Sequence, residues 1–145
     1  MDTLSRFSSR IPRLAWVIPS VVWMVVIFVL SSRQRIVVSE EFWTNFMVFK
    51  SLHIIEYAIL TVWNTIAIAK NTKGMRLSAI ALSASLCALV YGVSDEVHQL
   101  FVPTRSGLMR DVLIDSIGIF SVYWSVLHYE KSKKHSSASL HRRTS

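Results

Sequence analysis

Histidine, carboxylate, lysine and tyrosine side chains recur in this sequence at spacings that place them on shared helix faces. Lys50, His53 and Tyr57 follow one another at steps of three and four residues, and Asp111 and Asp115 lie one helical turn apart. An imidazole beside a carboxylate performs acid–base chemistry, and a lysine ammonium binds phosphate. These spacings therefore indicate a site for acid–base chemistry or anion binding, provided that helices bring the segments together.

A second polar group follows the apolar run that ends near residue 93. Asp95 and Glu96 are adjacent carboxylates, so a cation, a proton or an arginine is expected to balance them. The candidate acid–base residues are His53, Asp95, Glu96 and Asp111, and the candidate substrate-binding residues are Lys50, Tyr57, Gln99, Arg105 and Asp115.

The elements that must position these residues are membrane-spanning helices. Of 145 residues, 52% are hydrophobic and only 17% charged, and the apolar residues are concentrated in four long runs. The sequence predicts an all-α integral membrane four-helix bundle, with helices over roughly residues 14–31, 52–69, 77–94 and 112–129 in one domain of residues 1–130. The net charge of +7 does not indicate nucleic-acid binding, because the basic residues flank the apolar runs and no nucleic-acid motif accompanies them.

The distribution of Lys and Arg predicts the orientation of the bundle. Eleven of them lie in the N-terminal segment, the loop between the second and third helices, and the tail, against five at the other end. The positive-inside rule then places both termini in the cytoplasm and the polar residues at the extracytoplasmic face. Residues 131–145 are basic and Ser-rich, and we expect a disordered cytoplasmic tail.

The connection between the first two helices, residues 31–50, is too polar to span a membrane and too apolar for a free linker. Its aromatic residues allow two interpretations: an amphipathic segment in the membrane interface, or an ordinary loop with rings at headgroup level. The residues concerned are Phe42, Trp43, Phe46 and Phe49.

At these positions the sequence resembles the VanZ-like family of bacterial membrane proteins. The resemblance extends over nearly the whole chain and rests on four motifs in order: Ser31-Ser32, Lys50-x-x-His53-x-x-x-Tyr57, Asp95-Glu96-x-x-Gln99-x-Phe101-x-Pro103-x-Arg105, and Asp111-x-x-x-Asp115-x-x-Gly118. The chain departs from the family pattern at Thr104, where Gly is frequent, and at Asp115, where Asn is common. Asp115 adds a negative charge to any site.

The resemblance implies a multi-pass protein of the plasma (inner) membrane that acts at the cell envelope. The family takes its name from a member associated with resistance to the glycopeptide antibiotic teicoplanin. The implied partners are membrane lipids and a lipid-linked cell-wall precursor or a glycopeptide. The resemblance supplies no reaction.

Three classes of function remain open from the residues. An enzyme would use the histidine and carboxylates on a lipid-linked envelope substrate, and this donor set also suits a divalent cation, although no fixed metal-ligand spacing is present. A binding protein would capture an envelope lipid, an antibiotic or a partner protein with the same cluster. Transport is the weakest of the three, because no polar stripe runs through the predicted spans.

Overall fold

The computed structural model describes residues 12–33, 41–103, 105, 107 and 109–144, with side chains described as far as residue 136. The described chain is helical and contains no strand. A 3-10 turn, Arg13–Val17, leads into four helices: α1 (Ile18–Ser31), α2 (Phe42–Asn71), α3 (Leu77–Gln99) and α4 (Met109–Thr144). Four segments are long and apolar enough to cross a membrane, which confirms the predicted all-α, four-span architecture.

The first span begins as a 3-10 turn and becomes an α-helix at Ile18. Pro19 explains where the α-helix starts. A proline has no backbone N–H to donate, and the N–H groups of a first helical turn have no intrahelical acceptor in any case. The proline within this apolar run therefore occupies a position where it costs the helix little.

Helix α2 begins ten residues earlier than the predicted second span. The aromatic-rich segment from Phe42 onwards is not a separate element but the first turns of one continuous helix that ends at Asn71. No Pro or Gly interrupts residues 41–71, and the Asn45 side chain donates to the Glu41 carbonyl at 3.1 Å in the first turn. Residues 34–40 of the predicted interfacial segment lie outside the described residues.

Helix α4 continues through the predicted disordered tail as far as Thr144, so the structure differs from the expectation there. No Gly or Pro follows Gly118, and Lys134 pairs with Glu130 one turn before it at 3.3 Å. Such i,i+4 pairs favour helix continuation. The polar composition of the tail indicated disorder but contained no residue that ends a helix.

The interior of the bundle contains a small-residue seam on α3. Ala84, Ala88 and Gly92 are buried, and a Cβ atom added at Gly92 would lie 3.2 Å from the Tyr57 ring of α2. Small residues at this spacing let helices approach closely within a membrane. Around the seam, the buried apolar core consists of Ile27, Tyr57, Leu60, Ala88 and Ile119.

The predicted polar residues all lie at one end of the bundle. Ser31 at the end of α1 contacts Asp95 near the end of α3, and Lys50 near the start of α2 contacts Asp111 at the start of α4. At the opposite end, the Asn71 side chain donates to the Arg13 carbonyl at 3.1 Å. Chain direction therefore alternates from α1 to α4, which makes α2 and α4 parallel.

Candidate functional site

Two polar pairs join α2 to α4 at the polar end. Lys50 Nζ lies 2.5 Å from Asp111 Oδ2, and His53 Nδ1 lies 3.3 Å from Asp115 Oδ1. Because the two helices are parallel, a one-turn step along α2 matches a one-turn step along α4. The spacings identified in the sequence thus bring all four side chains together in register.

The two pairs differ in geometry. Lys50 and Asp111 form a short, mostly buried ion pair. His53 and Asp115 are in close electrostatic contact, but their atoms are not aligned as a hydrogen bond. Asp115 Oδ2 is also buried without a hydrogen-bond partner among the described residues. The His53–Asp115 pair therefore retains unused hydrogen-bonding capacity in the interior.

Gly118 explains how α2 and α4 come close enough for these pairs. A Cβ atom at this position would lie 2.1 Å from the Ile54 carbonyl oxygen and 3.1 Å from the Ala58 backbone nitrogen. The helices are therefore in direct backbone contact one turn from Asp115 and immediately after His53. Only a glycine fits here without moving one helix.

Asp95 joins α3 to α1. Ser31 Oγ donates to Asp95 Oδ1 at 2.6 Å, and Gln99 Nε2 donates to Asp95 Oδ2 at 2.9 Å. Both oxygens of this buried carboxylate thus accept a hydrogen bond, which satisfies the requirement for buried polar groups. Ser31 was not among the candidate site residues. It was identified only through the Ser31-Ser32 pair of the family resemblance.

Arg105, in the loop between α3 and α4, caps the end of α1. Its Nε donates to the Arg33 carbonyl at 3.0 Å and its Nη2 donates to the Leu30 carbonyl at 3.3 Å. The last carbonyls of a helix have no partner within the helix, so a guanidinium there satisfies them. Arg105 was predicted to bind substrate, and the structure adds this structural role.

A cavity of ≈ 240 Å³ lies where α1, α2, α3 and the Arg105 loop meet. Its wall combines cationic, acidic and apolar side chains in a small volume. The lining residues are Ile27, Leu30, Ser31, Arg33, Phe49, Leu52, His53, Glu56, Asp95 and Arg105.

Three of the nine candidate site residues line this cavity: His53, Asp95 and Arg105. The other six lie outside its lining. Gln99 donates a hydrogen bond to Asp95, and Asp115 lies beside His53. The rest are Lys50, Tyr57, Glu96 and Asp111.

Tyr57 is fully buried behind the cavity, where its ring packs over Gly92. Its hydroxyl has no hydrogen-bond partner within the part of the chain that the structure describes. Tyr57 therefore packs as a core residue at this end of the bundle.

Two charged lining residues were absent from the candidate site. Glu56 lies three residues after His53 and so close to the same helix face, a spacing that was a sufficient signal for including it. Arg33 follows the serine pair at the end of α1, and only the meeting of α1 with the Arg105 loop brings it to the cavity. For a metal ion, no group of three His, Cys, Asp or Glu side chains among the described residues is close enough to hold one.

Comparison with protein families identifies the chain. A family model described as VanZ/LLP1 matches residues 16–129, which extend from the turn before α1 through most of α4. The comparisons with curated proteins and with solved structures gave no match. The matched region contains every residue that lines the cavity, together with α1, α2, α3 and the first part of α4. The chain is a multi-pass membrane protein that belongs to the VanZ/LLP1 family.

Proposed function

We propose that the protein binds a cell-envelope component that carries phosphate and hydroxyl groups, such as the headgroup of a lipid-linked cell-wall precursor. The observation that supports this proposal is the composition of the cavity: two arginines and a histidine stand beside two carboxylates in a space that also has an apolar wall. The positive-inside rule places this cavity at the extracytoplasmic face of the plasma membrane, where such components are used.

The two arginines of the cavity wall, Arg33 and Arg105, can bind the phosphate of such a headgroup. A guanidinium has five N–H donors, and Arg105 uses two of them on the carbonyls of α1, which leaves donors for a ligand. Arg33 supplies a second cation in the same cavity wall. Charge-assisted hydrogen bonds from arginine to phosphate are short and about twice as strong as those between neutral groups.

The carboxylates suit hydroxyl groups, because an ionised carboxylate only accepts hydrogen bonds. Each Asp95 oxygen accepts one bond from the protein and has a further lone pair, and Glu56 lies in the same wall. A bare phosphate would meet both the arginines and the repelling carboxylates. A sugar phosphate satisfies the two sets of side chains together, which favours a glycosylated headgroup.

We propose that, in the cell, this binding contributes to teicoplanin-type resistance. A protein that holds a cell-wall precursor, or the glycopeptide itself, at the outer face changes how much antibiotic engages its target. We expect expression of the protein in a teicoplanin-susceptible bacterial host to raise the inhibitory concentration of teicoplanin several-fold.

Arg105→Gln is expected to abolish this protection, because it removes a cavity cation. Arg110→Gln is the matched control: Arg110 lies at the same end of the bundle but its side chain is 60% exposed and does not line the cavity. Protein amounts in the membrane are measured for each variant. Equal protection by both variants at equal amounts would contradict a role for the cavity, and mass spectrometry of the host envelope lipids identifies the component affected.

An enzymatic function on the same substrate is favoured by one specific observation, the His53–Asp115 pair. The Asp115 carboxylate lies beside Nδ1 of His53, so the other ring nitrogen can exchange a proton with a ligand in the cavity that His53 lines. For an enzyme, His53→Gln should retain lipid binding but lose any change in envelope-lipid composition. For a binding protein, wild type and His53→Gln should both bind the lipid and leave its covalent structure unchanged.

A further inference from the structure

We infer that the ligand is a lipid that enters the cavity sideways from the bilayer, with its hydrocarbon chain between α1 and α2 and its headgroup against the polar wall. This inference rests on the proposed function and narrows its ligand to a membrane lipid, which excludes a water-soluble glycopeptide or a free sugar phosphate as the principal occupant.

The apolar wall of the cavity reaches the outer surface of the bundle. Leu30 of α1 and Leu52 of α2 both line the cavity, and they are 41% and 47% exposed. In a membrane-spanning bundle, exposed leucines on the spans contact lipid chains. The same two side chains thus belong to the cavity and to the lipid-facing surface, so the cavity is continuous with the bilayer between these helices.

Among the described residues, the side-chain hydrogen bonds at the end of α1 go to α3 and to Arg105 rather than to α2. The Ser31 hydroxyl binds Asp95 of α3, and the Leu30 carbonyl accepts from Arg105. The described side-chain bonds from α1 to α2 lie deeper: Trp23 Nε1 donates to the Glu56 carbonyl at 2.9 Å, and Ser20 binds Asn64. At the depth of Leu30, α1 is therefore held from the α3 side, and both α1 and α2 contribute apolar side chains to the cavity lining there.

A lipid is too large for the cavity to enclose, so part of a lipid ligand must lie outside it. At ≈ 240 Å³ it is smaller than the ~300–1,000 Å³ of pockets that enclose a drug-sized molecule. A headgroup fills the polar part, and the chain must leave along a wall. Ile27 and Phe49 add to the apolar lining, and this lining reaches the surface at Leu30 and Leu52, so the low-energy path for a hydrocarbon chain is lateral.

The test compares two probes with the same headgroup, N-acetylglucosamine 1-phosphate and its dodecyl phosphodiester, on the full-length protein in lipid nanodiscs. Affinity is measured by microscale thermophoresis. We expect the dodecyl probe to bind at least about tenfold more tightly than the soluble probe. Leu52→Trp, which narrows the gap between α1 and α2, should reduce the affinity for the dodecyl probe about tenfold more than it reduces the affinity for the soluble probe.

Leu82→Trp is the matched control, because Leu82 is 48% exposed on α3 and does not line the cavity. Leu30→Trp narrows the gap from the α1 side and replaces Leu52→Trp in this test if that variant does not fold. Equal affinity for both probes, or equal effects of Leu52→Trp and Leu82→Trp, would overturn lateral entry while leaving the headgroup site intact. Failure of both probes to bind the wild type would overturn the proposed function itself, and lateral entry with it.

Discussion

Gly118→Ala is expected to remove most of the folded protein from the membrane. The added methyl group would lie 2.1 Å from the Ile54 carbonyl oxygen, an atom of the α2 backbone that no side-chain rotation can move. Helices α2 and α4 must then separate, which weakens their packing along the bundle. Overpacking of a tight interior costs about 1–3 kcal/mol or more. The amount of monodisperse protein after detergent extraction and its unfolding temperature measure the effect.

Gly92→Ala is the control for this substitution. A Cβ atom at Gly92 would lie 3.2 Å from the Tyr57 ring, a side chain that can shift by a few tenths of an ångström. Both glycines lie in spanning helices and gain the same methyl group. The difference between the two losses of folded protein therefore separates the effect of a backbone clash from that of a side-chain clash. Equal losses from the two variants would show that the α2–α4 crossing is no tighter than the α2–α3 crossing.

Lys50→Met is expected to destabilise the protein by about 1–3 kcal/mol, because it leaves the poorly solvated Asp111 carboxylate with only the exposed Arg110 guanidinium, whose Nε lies 3.6 Å away. The Lys50 side chain is only 16% exposed and its ammonium lies 2.5 Å from Asp111. The double variant Lys50→Met/Asp111→Leu should lose much less than the two single variants together, since neither charge is then left unpaired. Thermal unfolding in detergent measures all three variants.

Lys134→Met serves as the matched control, because Lys134 also pairs with a carboxylate of α4 but is 74% exposed. Exposed ion pairs contribute little to stability, so this variant should unfold close to the wild type. A loss from Lys50→Met no larger than that from Lys134→Met would show that the Lys50–Asp111 pair is solvated. The polar residues on α2 and α4 would then be independent, solvated side chains at helix ends and not parts of one site.

The sequence was sufficient to predict the four spans and the meeting of their polar ends, because spanning helices have a fixed length requirement and a regular period. The pairing of Lys50 with Asp111 and of His53 with Asp115 needed one further fact, that α2 and α4 lie parallel and in contact. Helix ends were predicted less well. Hydropathy shows where a helix enters lipid but not where it begins, so the start of α2 at Phe42 and the continuation of α4 to Thr144 both extend beyond the predicted spans.

Spacing alone does not predict which neighbours each candidate site residue has in the folded bundle. Helical periodicity groups Lys50, His53 and Tyr57 on one face of α2. In the folded bundle their surroundings differ: Lys50 contacts Asp111, His53 lines the cavity, and Tyr57 packs over Gly92. Arg105 was predicted to bind substrate, and its described hydrogen bonds go to the Leu30 and Arg33 carbonyls at the end of α1. Loop residues of this kind have no periodicity from which their contacts follow.

Native mass spectrometry of the protein released from bacterial membranes tests the central claim most directly. We predict that the wild type retains one phosphate-containing glycolipid, that Arg110→Gln retains it equally, and that Arg105→Gln loses most of it because a cavity cation is missing. Fragmentation of the bound species gives its headgroup and chain. Release of the wild type without any bound phosphate-containing lipid, or equal retention by Arg105→Gln and Arg110→Gln, would contradict the assignment of this cavity as the binding site.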